Sequence, residues 1–132
     1  MLKVFIACPY TQSDKSICHE QFLVATKLAS DVIAANAVAF SPVTHGHPII
    51  TQHTDSSIPW KNLREQSLSF HNWADALLVV DLPSTSECAV IQEDIALFRE
   101  AEKPVRFIDP SHIQNQLDTL LEEFEQSKQS RP

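Results

Sequence analysis

Asp75-Ala76-Leu77-Leu78-Val79-Val80-Asp81-Leu82-Pro83 is the most apolar stretch of the chain, five uninterrupted hydrophobic residues between two aspartates. A short continuous run closed by a proline reads as a strand buried on both faces, the kind found inside a parallel sheet. Working back from it, Val4-Phe5-Ile6-Ala7 is a similar run ended by Cys8-Pro9-Tyr10, and Val38-Ala39-Phe40 is a third, ended by Ser41-Pro42. Working forward, Val105 to Ile108 reads as a further strand, preceded by Lys103-Pro104. Between and after these runs the apolar residues fall at helical spacing. A first helix opens from the cap-rich Thr11–Ser16 segment and carries Ile17, Phe22, Leu28 and Val32. A second starts at Ser57-Ile58-Pro59 and continues through Trp60, Leu63, Ser67, Phe70 and Trp73. A third opens at Ser84-x-x-Glu87, a capping-box pattern, and runs to about Glu102, and a last one starts at Asp109-Pro110 and runs to about Gln126. Residues 41–57 read as a polar loop.

Strand and helix thus alternate four times. The predicted fold is α/β, a three-layer Rossmann-like or flavodoxin-like parallel sheet with helices on both faces. Its length of 132 residues suits one domain, expected over residues 1–126, with a frayed tail at 127–132.

Composition narrows the function. Ten Lys and Arg stand against 17 Asp and Glu, a net charge of -7, so nucleic-acid polymers and anionic membranes are repelled. Gly46 is the only glycine, which excludes a glycine-rich phosphate loop. Cys8, Cys18 and Cys88 form neither a disulfide framework nor a CxxC metal pair, and the amino terminus lacks a signal-like apolar core. A reducing compartment, the cytoplasm, is expected, and no cofactor is called for.

In open parallel sheets ligands sit outside the carboxyl ends of the strands. After the first strand stands Tyr10, either a half-buried turn aromatic or a ring for stacking a ligand. Cys8 beside it reads as a small buried hydrophobe rather than a nucleophile. After the second strand comes Ser41-Pro42-Val43-Thr44-His45-Gly46-His47-Pro48. His45 and His47 at i, i+2 suit a metal only with a third ligand such as Asp81, and otherwise a phosphate or sugar hydroxyl, or a plain surface loop. On the third helix, 100° per residue puts Val90, Leu97 and Ala101 within about 40° of one another with Asp94 beside them and Glu93 at the edge. A carboxylate on an apolar face is either tied to a neighbouring donor or held for chemistry. For Glu87 the capping role is the simpler one.

Taken together, Val4–Tyr10, Ser41–Pro48, Asp75–Pro83 and Lys103-Pro104-Val105 resemble the nucleoside 2-deoxyribosyltransferase-like superfamily, most closely its DUF1937 branch, over residues 2 to about 108. The resemblance implies a flavodoxin-like fold, a dimer or larger homo-oligomer, and cleavage or transfer of the N-glycosidic bond of a small nucleoside or nucleotide by a helix-borne carboxylate. The branch pattern Gly-Trp-x-x-Ser-x-Gly-Val-x-x-Glu, laid ungapped, places Ser84 and Thr85 on Gly-Trp, Cys88 on Ser, Val90 on Gly and Asp94 on the catalytic Glu. Glu93 matches only with a compensating gap. A tyrosine of the first strand in active transferases is replaced by Phe5. The resemblance further implies Tyr10 stacking on the base, Ser41, His45 and His47 contacting sugar or 5′-phosphate, and Asp81, Glu87 or Glu93 orienting the sugar or protonating the base. Shortening Glu to Asp retracts the carboxylate by about one bond, and about 1 Å of misplacement can cost on the order of a hundredfold in rate. The alternative is a binding module that kept the pocket and lost the chemistry.

Overall fold

The computed structural model describes residues 1–52 and 60–131. Four parallel strands, β1 (Lys3–Ala7), β2 (Val38–Phe40), β3 (Ala76–Val80) and β4 (Val105–Ile108), form one sheet in the order β2-β1-β3-β4. Val4 pairs with Ala39 and Ala76, and Val79 with Phe107, so β1 and β3 are the two interior strands. That position explains the uninterrupted apolar runs. Side chains alternate across the pleat, sending Val4, Ile6, Leu78 and Val80 to one face and Phe5, Ala7, Leu77 and Val79 to the other.

The first face is covered by α1 (Lys15–Ala34) and α6 (Ile113–Ser130) through Ala25, Leu28, Val32, Leu117, Leu121 and Phe124. The second is covered by α5 (Ala89–Glu100) through Ile91, Ile95 and Phe98. Helices on both faces of a parallel sheet make the three-layer α/β Rossmann-like fold read from the sequence. Among the described residues no helix is long and apolar enough to cross a membrane.

Four boundaries differ from the sequence reading. Residues 41–57 are not all loop, because Pro42–Thr51 is a helix, α2. Ser41 caps it by accepting from the Thr44 N–H at 3.2 Å, and Pro42 supplies a first-turn residue with a preset φ. Gly46 and Pro48 disguise the segment by being poor helix interiors. The capping box at Ser84 does not form. Thr85–Glu87 is instead a single 3-10 turn, fixed by Thr85 Oγ1, which donates to the Val80 carbonyl at 2.7 Å and accepts from the Leu82 N–H at 2.8 Å. The second expected helix is two, α3 (Trp60–Leu68) and α4 (Phe70–Trp73), and its start at Ser57–Pro59 lies outside the described residues.

Finally, α6 reaches Ser130 rather than fraying from Ser127. Its last turn is tied down, with Lys128 Nζ donating to the Met1 carbonyl at 2.8 Å and lying 3.3 Å from Asp75 Oδ2, and Arg131 at 3.7 Å from Asp75 Oδ1. Asp75 also accepts from the Lys3 N–H, so the two ends of the chain meet below the amino ends of β1 and β3.

Because glycine is so scarce, other residues take the left-handed conformation that closes helices. Asn36 (φ 68°) ends α1 and Glu102 (φ 59°) ends α5. In each case the following N–H reaches back to an earlier carbonyl, Ala37 to Val32 and Lys103 to Phe98, which satisfies acceptors that the helix end leaves open.

Candidate active site

A narrow cleft opens at the carboxyl ends of β1 and β2, where α2, α3 and α5 converge. Ala7, Cys8, Phe40, His45, Trp60, Arg64 and Asp94 are among its lining residues. The free space in it is about 30 Å³, enough for about two water molecules.

Asp94 is the most consequential group on this wall, only 2% exposed. The buried stripe of α5 is Ile91, Asp94, Ile95 and Phe98, whereas Val90 and Leu97 are 37% and 38% exposed. The apolar face is therefore about one position round from the Val90/Leu97/Ala101 face expected from the sequence. Asp94 is three or four residues from members of either set, and so it is buried under both readings.

Burying a carboxylate is costly unless it is paired. Arg64 of α3 donates through one guanidinium nitrogen to Asp94 Oδ1 at 2.8 Å and through the other to Glu93 Oε1, also at 2.8 Å. His71 of α4 places Nε2 2.8 Å from the same Asp94 oxygen, although its N–H is not aligned for a hydrogen bond. The His71 ring is held edge-on by Phe5 (4.8 Å between centroids) and Phe98 (5.1 Å). Phe5 thus packs the imidazole that abuts Asp94, at the place where the resemblance expects a tyrosine against the nucleophile. Two side chains, from α3 and α4, thus meet at one oxygen of α5.

The other candidates separate into three groups. Glu93 is at the rim, its side chain 58% exposed, with Arg64 as its partner. His45 is exposed and lines the cleft, its ring 5.9 Å from Phe40. Tyr10 and His47 bind each other, the Tyr10 hydroxyl lying 2.6 Å from His47 Nδ1. Tyr10 stacks on Trp60 at 4.6 Å, and His47 stacks on Phe22 at 4.5 Å. Tyr10 therefore backs the cleft wall rather than facing into it, and burial pushes its hydroxyl up to about 12. Burial, with His19 nearby, lowers the His47 pKa, which keeps an acceptor nitrogen available to Tyr10. Ser41 is spent on capping α2, and Asp81 and Glu87 are exposed and do not line the cleft. His45 and His47 diverge, and among the described residues no group of three or more His, Cys, Asp or Glu is placed to hold a metal. Cys8 is buried, its thiol pushed up to about 12 chiefly by desolvation, which makes it inert as a nucleophile.

Arg64, His71 and Trp60 carry much of the site and were not marked as functional by the sequence. The available signal was spacing, since Arg64 and His71 would share a face of the single helix expected from Ser57 to Trp73, a helix that the structure divides after Leu68. Gly46 has its own reason to be glycine. A Cβ there would stand 3.0 Å from Trp60 Cζ3 and 3.2 Å from Leu63 Cδ1, so the bare backbone is the seat on which the Trp60 ring rests.

Residues 2–109 match the family model described as a domain of unknown function, DUF1937. The chain belongs to the DUF1937 family. That span takes in all four strands and every cleft residue named above, so the site is built wholly from the DUF1937 domain, with α6 as the main element outside it. No curated protein matches the sequence.

Proposed function

We propose that the cleft binds a small nucleoside or nucleotide and that Asp94 cleaves or transfers its N-glycosidic bond, as the resemblance to the nucleoside 2-deoxyribosyltransferase-like superfamily implies. The observation that carries the reading is a nearly fully buried carboxylate on the wall of a cleft at the strand carboxyl ends, positioned by Arg64 and His71. A fixed carboxylate is suited to attack an anomeric carbon that develops oxocarbenium character. In the first step an Asp94 oxygen bonds to C1′ while the C1′–N bond breaks, its electron pair leaving on the base nitrogen, which takes a proton from His45 at the rim. Water, or a second base in a transfer, then attacks C1′ of the glycosyl ester. Asp94 leaves as carboxylate, and the attacking group's proton returns to His45. Trp60 and Phe40 supply the flat walls for the base. A nucleoside needs several times the free volume of the cleft, so binding requires Trp60 or Phe40 to swing outward.

A second reading, a binding module without catalysis, is favoured by one observation. Asp94 Oδ1 faces both Arg64 and His71, an arrangement that also serves as a plain cross-link of α5 to α3 and α4. Chromatography of free base after incubation with nucleosides and their 5′-monophosphates separates the two readings. Release that disappears in Asp94→Ala supports catalysis. Ligand-induced thermal stabilisation without release by the wild type supports the binding module, and neither response removes both.

A further inference from the structure

The charge balance of the cleft bears on the kind of ligand it takes. Arg64 is the only Lys or Arg among its described lining residues. Residues 53–59, His-Thr-Asp-Ser-Ser-Ile-Pro, contribute no Lys or Arg in sequence. Each terminal nitrogen of Arg64 uses one of its N–H groups on a carboxylate, one on Asp94 and one on Glu93, each at 2.8 Å. Arg64 balances Asp94 in the cleft wall, and Glu93, outside the lining with its side chain 58% exposed, leaves the three-residue cluster with a net negative charge. The amino end of α5 lies on the same side, where Val90 and Ile91 line the cleft, but a helix end carries only about half a charge, and Glu87 stands just before its N-cap residue Cys88. The whole chain, these residues included, carries a net -7.

We infer that the cleft takes an uncharged nucleoside rather than its 5′-monophosphate, and that Glu93 sets this preference by occupying the cleft's one guanidinium. The inference rests on the nucleoside reading and sharpens it. A phosphate would approach a cluster already in negative excess, whose forked guanidinium, its natural partner, already faces one carboxylate from each terminal nitrogen. Displacing Glu93 from Arg64 would expose a second carboxylate to the phosphate. A neutral sugar hydroxyl meets neither cost. Glu93 is a specificity residue here, acting through Arg64.

The test is calorimetry at pH 8, where histidines ordinarily carry little charge, with non-cleavable C-nucleosides of adenine and uracil type, each beside its 5′-monophosphate. For the better-bound base, the nucleoside is expected to bind at least about tenfold tighter than the monophosphate, from a dianion placed near one uncompensated carboxylate. The nucleoside affinity should be nearly independent of salt, and the gap should narrow as salt rises. Glu93→Gln, a change at an exposed rim position, should bring the ratio to within about threefold by freeing half of the Arg64 fork. A monophosphate that binds the wild type as tightly as the nucleoside overturns the inference and leaves the N-glycosidic reading standing. An unchanged ratio in Glu93→Gln overturns the role of Glu93. Binding of neither ligand overturns the inference and the nucleoside reading together.

Discussion

Removing Arg64 and removing Asp94 should have unequal consequences, even though each breaks the same ion pair. In Arg64→Ala, Asp94 remains nearly fully buried and keeps only the unaligned contact to His71. Leaving a buried charge without its partner costs about 3–5 kcal/mol, and the Arg64 side chain, itself 13% exposed, gives the fork little solvent to soften that loss. A loss of about 3 kcal/mol is expected, against a total stability of roughly 5–15 kcal/mol for a domain. In Asp94→Ala the guanidinium keeps Glu93, which reaches solvent, so the loss should be about 1–2 kcal/mol, mostly for the vacated volume. The double variant Arg64→Ala/Asp94→Ala should then be more stable than Arg64→Ala alone, because the second change removes the orphaned charge that the first created. Urea unfolding followed by circular dichroism gives all four stabilities of the cycle. Additive losses, or an Arg64→Ala variant within about 0.5 kcal/mol of the wild type, would show that the pair is not what makes Asp94 tolerable in the interior.

Gly46→Ala sets a helix-propensity gain of about 1 kcal/mol against overpacking at the Trp60 and Leu63 contacts, typically about 1–3 kcal/mol. A net loss with a shifted tryptophan emission maximum is expected, and a variant more stable than the wild type would show that the ring yields freely. The lowered His47 pKa means the folded state binds fewer protons than the unfolded one between the folded value and about 6.5. Its contribution is therefore complete above that range and is lost as pH falls through it. Stability-versus-pH curves should be flatter there for His47→Gln, and superimposable slopes would refute the assignment. Glu102→Gly relieves a left-handed φ and should raise stability by about 0.5–1 kcal/mol, readable as a higher urea midpoint, while a lower midpoint would show that the Glu102 side chain matters more than its backbone.

The sheet was legible because the interior strands β1 and β3 announce themselves by apolar runs with a breaker after them, and burial on both faces leaves no polar alternation to confuse them, while the edge strands β2 and β4 are marked by short segments beside prolines. Helix α2 was hidden because Gly46 and Pro48 are retained for reasons other than helix propensity. For Gly46 the reason is tertiary, the nearness of Trp60, which no local pattern reveals. The importance of Asp94 was legible from helical geometry, yet its partners were not. Arg64 and His71 lie 30 and 23 residues away and meet it only because the fold brings α3 and α4 up to α5. The same holds for Tyr10, whose place after a strand suggested contact with ligand. Its hydroxyl instead finds His47, and its ring finds Trp60, both supplied by α2 and α3.

The knot of Asp75, Lys3, Lys128 and the Met1 carbonyl bears on handling the molecule in experiments. It gathers both chain ends at the amino edge of the sheet, while the cleft opens at the carboxyl edge. A tag, a fluorophore or a surface linkage added at either end therefore sits on the far side of the molecule from the cleft. Protein immobilised through either terminus would present the cleft to the solution, so binding on a sensor chip should reproduce binding in free solution.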